Sequence, residues 1–195
     1  MAAEVAPPKS DPDDIAIDTM NSILGGTFTS RINMNLREDK HWSYGALSIL
    51  VGARGQRPFI AYSSVQTDKT KESITEIGKE LRDILEKRPI TDAEATKVLN
   101  NKIIRLPGSW ETSNAVAGSI AEIVRYGLPD NYFRTYPEKL RGLQAAQLSA
   151  AARKVIQPDK LVWLVVGDRS KIEAGIRALG LGEIRLIDTD GNTVQ

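Results

Sequence analysis

Near residue 44 the apolar residues of this chain change period, and that switch limits the fold more than any other feature. Ile15, Thr19, Met20 and Ile23 recur at helical spacing, but 44–53 and 59–65 are runs of β-formers joined by Gly52-Ala-Arg-Gly55-Gln-Arg57. A helical period does not suit a strand, so the two runs predict a hairpin set between helical segments. Three further helical patterns follow. The first carries Ile74, Ile77, Leu81, Ile84 and Leu85 on one face. The second opens on a capping box, Thr91 to Glu94, and breaks at Pro107-Gly108. The third, capped by Ser109, shows a stripe of Val116, Ile120, Ile123 and Val124 up to Gly127.

The remaining segments complete the order. Asp11-Pro12-Asp13-Asp14 predicts the start of the first helix, with a cap, proline at the first helical position and acids at the positive end of the dipole. Gly25-Gly26 ends it, and a second helix is expected over 29–38, with Ile32, Met34 and Leu36 apolar. Shorter helices are expected over 131–140 and 145–156. The continuous run Leu161-Val-Trp-Leu-Val-Val166 predicts a strand covered on both faces. A helix over 171–178 and a last strand over 183–187 follow. The sum is an α+β fold, a mainly antiparallel sheet packed by helices, in one domain spanning 1–195.

Composition narrows the chemistry. The 195 residues hold 26 Lys+Arg against 25 Asp+Glu, and a net charge of +1 removes the electrostatic footprint of a nucleic-acid binder. With no Cys, a disulfide framework, a thiolate nucleophile and a Cys-based zinc site are excluded. With one His, a zinc site with two imidazoles is impossible within one copy. No stretch approaches the roughly 18 apolar residues that span a bilayer. The start, Met1-Ala-Ala-Glu-Val-Ala-Pro-Pro8, lacks a secretory pattern and reads as the stub of an extended segment. Both ends suggest a piece of a longer polypeptide, which leaves the compartment open between cytoplasm and bacterial periplasm.

Three constellations could carry chemistry. Leu24-Gly25-Gly26-Thr27-Phe28-Thr29-Ser30 is glycine-rich and precedes a helix, but it matches no nucleotide-binding loop and follows a helix, not a strand. It reads as a corner needing positive φ. His41 near Ser43 lacks a third group to orient the ring and reads as a loop histidine. Arg37 and Tyr44 stand at the two ends of a helix-to-strand corner, where a fork of guanidinium donors and a phenol could share one cleft and hold a peptide carbonyl or its oxyanion. By spacing alone, an exposed Arg and an amphipathic Tyr remain the alternative.

The segment from Leu24 to Ala46 resembles the C-terminal, non-zinc half of the pitrilysin/insulysin family of zinc peptidases, which includes the mitochondrial processing peptidase and the cytochrome bc1 core proteins. The resemblance implies a processing-peptidase-like half domain that pairs with a homologous partner around a chamber. The partner, in the same chain or a second subunit, supplies H-x-x-E-H and holds the zinc. The facing half supplies an Arg and, seven residues later, a Tyr, and Arg37 and Tyr44 fall on those positions. H-x-x-E-H is absent here, so the resemblance implies no metal and no cofactor in this chain. It implies a domain that binds unfolded peptide, by strand addition at a sheet edge, and assists the transition state without cleaving alone. The alternatives are a non-catalytic scaffold like the bc1 core proteins and a stand-alone peptide-binding module.

Overall fold

A computed structural model describes residues 1–194. Its elements run β1 Ala2–Ala6, α1 Asp14–Leu24, α2 Arg31–Asn33, β2 Ser43–Leu50, β3 Arg57–Val65, α3 Thr70–Asp83, α4 Asp92–Arg105, α5 Ser113–Tyr126, α6 Tyr132–Arg141, α7 Ala145–Val155, β4 Val162–Trp163 and α8 Arg169–Arg177. The four strands form one sheet in the order β2-β3-β1-β4, with every pairing antiparallel. This is the α+β architecture expected from the change of period.

The N-terminal stub is an interior strand. β1 pairs with β3 on one side (Ala2 opposite Ala61) and with β4 on the other (Ala2 opposite Trp163). Ala2, Ala6, Ala46, Phe59 and Ala61 are buried on the sheet's inner face, where they meet Ile17, Met20 and Leu24 of α1, Leu81 of α3, and Leu148, Ala152 and Val155 of α7. On the other face Val5, Leu47, Ile49 and Tyr62 stay exposed. One-sided cover of this kind is what an antiparallel sheet tolerates and a parallel one does not.

The acids before α1 bind side chains more than they cap the helix. The helix begins at Asp14, beyond Pro12, and its N-cap Asp13 makes no side-chain cap bond, which corrects the expected proline at the first helical position. Asp14 is buried and paired with the buried Arg57 guanidinium, and Lys9 Nζ lies 3.0 Å from its other oxygen. Asp11 and Asp13 both receive Lys154 of α7, at 2.6 and 2.8 Å. The Thr91–Glu94 capping box forms as expected.

Elsewhere tertiary context overrides the local pattern. α3 ends at Asp83, so Ile84 and Leu85 belong to the turn after it. α5 is capped by Thr112, whose side chain accepts from Ala115 N, and not by Ser109. Its Val116, Ile120 and Val124 are exposed, so this stripe faces away from the core. The 161–166 run is a strand only at Val162–Trp163, extended by reciprocal bonds between Leu164 and Met1, and Val162 and Val166 are 69% and 91% exposed, so it is an edge and not a doubly covered strand. No strand forms over 183–187; a single bridge joins Ile187 to Thr193. α8, which precedes that last segment, packs on α3, and the segment does not join the four-stranded sheet.

Candidate functional site

The corner between α1 and β2 is built by a close approach of backbones. Gly25 is the C-cap of α1, with φ −154°, so the expected positive φ is not what this glycine supplies. A Cβ there would lie 2.3 Å from both the backbone N and Oγ of Ser48. Only glycine lets α1 end directly against β2. Ser48 N donates to Gly25 O at 3.0 Å across this contact.

The second helix is not the α-helix expected over 29–38. After α2 it widens into a π-helical segment, Met34–Asp39, in which Lys40 N donates to Asn35 O at 3.0 Å. An i→i+5 ladder is rare, and it recurs at functional sites. Asn35 and Leu36 point inward, while Arg37, Glu38 and Asp39 reach toward solvent. The turn is closed by His41, the one non-glycine residue with positive φ (57°) among the described residues. Its Nδ1 lies 3.1 Å from the Arg37 carbonyl oxygen, an acceptor, so the ring donates from Nδ1. His41 thus caps the π segment. Ser43 bonds to Gly45 and Ser64 and not to His41, so no nucleophile–base pair exists there.

Arg37 is half-exposed, and its guanidinium carbon stands 4.6 Å over the centroid of the Phe28 ring. Its Nε lies 3.2 Å from Glu38 Oε1. The guanidinium therefore sits over a ring with its Nε against a carboxylate, and among the described residues its terminal nitrogens make no hydrogen bond. Tyr44 is 98% exposed at the start of β2, beside an irregularity in pairing between Ser43 and Ala46. Such bulges re-aim side chains next to active sites. No hydrogen bond links Arg37 to Tyr44 among the described residues. The sequence put Arg37 and Tyr44 at the two ends of this corner; the side chain the structure brings onto Arg37 is Phe28.

Asn33 joins the parts. Its Nδ2 donates to Phe28 O at 2.6 Å, and its Oδ1 accepts from Ala46 N at 3.0 Å. One buried amide thus fixes the loop bearing Phe28 against the strand bearing Tyr44. The sequence carried a weak signal for this, an Asn within an apolar helical stretch, where such residues are disfavoured unless they bond elsewhere. Ala46 N and both polar groups of the Ser48 backbone are engaged by Asn33, Gly25 and Asn21. At these positions the outer edge of β2 is already occupied, so a peptide adding a strand here would have to displace those bonds.

A polar cleft of roughly 390 Å³ lies between the π segment, α3 and α4 and includes neither Arg37 nor Tyr44. In it Arg31 forks onto Glu94 with two bonds of 2.7 Å, and Asn35 Nδ2 donates to Glu76 and Glu80 at 2.8 and 2.9 Å. Burial raises the Glu94 carboxyl, but the hydrogen bonds from Arg31 and Thr91, with the Arg31 charge, outweigh it and bring the pKa down to about 2. The Arg31–Glu94 ion pair and the Asn35 hydrogen bonds tie helical segments together. Among the described residues no group of three or more His, Cys, Asp or Glu is placed to hold a metal.

A family profile described as the peptidase M16 inactive domain matches residues 1–102. The chain belongs to this family. A comparison with curated proteins finds no match. Among solved structures, the M16 domain described here is similar to the peptidase M16 inactive domain from Pseudomonas fluorescens, with a TM-score of 0.74 and 26% identity over 83% of this chain and 38% of that one. It therefore spans about two fifths of that relative's length. The inactive peptidase domain of a putative zinc protease from Bordetella parapertussis has the same fold, with a TM-score of 0.68 and 13% identity over 83% of this chain and 87% of that one. So does a chain of complex III2 from Candida albicans, with a TM-score of 0.63 and 15% identity over 78% of this chain and 38% of that one. No helix of the described residues is long and apolar enough to cross a membrane.

Proposed function

We propose that this chain, as a single C-terminal domain over 1–195, is the substrate-binding and transition-state-assisting half of a zinc metalloendopeptidase. The observation that supports the reading is the exposure of two donors at one corner: a guanidinium braced on Phe28 with its terminal nitrogens free, and a phenol that is 98% exposed. The residues of this chain do not fit zinc: it has one imidazole and no thiol, and no group of three or more His, Cys, Asp or Glu is gathered among the described residues. The metal therefore belongs to a homologous partner domain or subunit that carries H-x-x-E-H. Within this chain, Arg37 binds a backbone carbonyl of an unfolded peptide. Tyr44 donates its hydroxyl proton to the oxyanion that develops as the scissile carbonyl becomes tetrahedral.

The test is to mix the chain with its zinc-bearing partner and follow cleavage of a quenched fluorescent peptide. Tyr44→Phe should lower kcat by about 10²–10³ if the hydroxyl stabilises the oxyanion. An unchanged rate would remove Tyr44 from the mechanism. The similarity in fold to a chain of complex III2 supports a second reading, a non-catalytic scaffold. That reading requires that no zinc-bearing partner gain peptidase activity when this chain is added.

A further inference from the structure

Phe28 is 58% exposed, so it adds little to the core, yet its backbone is tightly fixed: Asn33 Nδ2 donates to its carbonyl at 2.6 Å, and the same amide accepts from Ala46 N. The Arg37 guanidinium carbon lies 4.6 Å from the centroid of its ring. An aromatic face attracts a guanidinium through its quadrupole and matches its plane, which a point-charge ammonium cannot do. A free arginine samples many rotamers that must be given up on binding. One already laid on a ring loses less, and the difference appears as affinity for the group it binds.

We propose that Phe28 is the positioning residue for Arg37: it holds the guanidinium over its ring so that the terminal nitrogens meet a carbonyl of the peptide substrate already aligned. This rests on the reading of Arg37 as a substrate anchor. With Glu38 at Nε, the ring leaves the Nη1–Nη2 fork as the free edge. Asn33 carries the alignment onward to β2, so that the fork and Tyr44 share one rigid frame.

Two measurements test this. In the isolated chain, protons on the Arg37 side chain should show upfield ring-current shifts in NMR, lost in Phe28→Leu and kept in Phe28→Tyr. With the zinc-bearing partner added, Phe28→Leu should raise KM for a quenched peptide about two- to fivefold with kcat little changed, and Phe28→Tyr should restore it. The half-exposed ring makes loss of folding in Phe28→Leu an unexpected result, and the Tyr variant preserves the ring in any case. A missing ring-current shift, or a Leu variant with unaltered KM while Arg37→Ala raises it, overturns the role of Phe28 alone. Arg37→Ala with unaltered KM overturns the substrate-anchor reading and Phe28's role with it.

Discussion

Asn21 and Ser48 hold each other by both functional groups: Ser48 Oγ donates to Asn21 Oδ1 at 2.6 Å, and Asn21 Nδ2 donates to the Ser48 carbonyl at 3.1 Å. Both residues are buried, and the pair joins α1 to the edge of β2. Ser48→Ala leaves the buried Asn21 side-chain carbonyl without its hydroxyl donor, so stability should fall by about 1–3 kcal/mol. The midpoint of urea unfolding measures it, and an unchanged midpoint would mean that water replaces the hydroxyl.

Gly25→Ala should be destabilising by about 1–3 kcal/mol through forced repacking. The new methyl would stand 2.3 Å from the Ser48 backbone nitrogen, which cannot swing aside as a long side chain can. Calorimetry on the variant would show a lower Tm. A Tm equal to wild type would disprove the close approach.

Arg57→Ala should cost up to about 3–5 kcal/mol, because it takes the buried guanidinium from the Asp14 carboxylate and leaves it only the less buried Lys9. Both side chains are 3% exposed, and Lys9 would remain as the sole ionic partner of Asp14. Chemical denaturation of the variant should show this loss; a drop of under about 1 kcal/mol would contradict a buried pair.

The Arg31–Glu94 pair makes stability depend on acid. In the folded chain the Glu94 pKa lies at about 2, below its ordinary 4.5. A depressed carboxyl contributes stability above its unfolded pKa and loses it as pH falls toward the folded one. Wild type should therefore lose its advantage over Glu94→Gln as pH drops from about 4.5 to about 2. Thermal melts at several pH values decide it, and a gap that does not change with pH would refute the linkage.

Tyr44→Phe and Ile120→Lys should each shift stability by no more than about 0.5 kcal/mol, since both side chains face solvent. A large loss in either would show a contact that the exposed positions do not make. For Tyr44 this separates any effect on peptide cleavage from an effect on folding.

Much of the fold was legible because periodicity records which face is buried. The hairpin, the capping box at Thr91 and the helices near 131–140 and 145–156 were all readable in this way. The 161–166 run and the stripe on α5 misled for one reason: apolar content shows that a segment can be covered, not that a neighbour covers it. The 183–187 segment misled likewise, since a β pattern does not by itself bring a segment to the sheet.

By itself the sequence determined the α+β order, the impossibility of a zinc site with two imidazoles within one copy, and the positions of Arg37 and Tyr44 on either side of a corner. Those follow from residue type and spacing, which act locally. Only the tertiary structure decided that Gly25 serves a close approach, that the helix bearing Arg37 widens into a π segment, and that Phe28 lies beneath the guanidinium. Each of these depends on contacts between segments brought together by burial of the core, and no local pattern encodes such a contact.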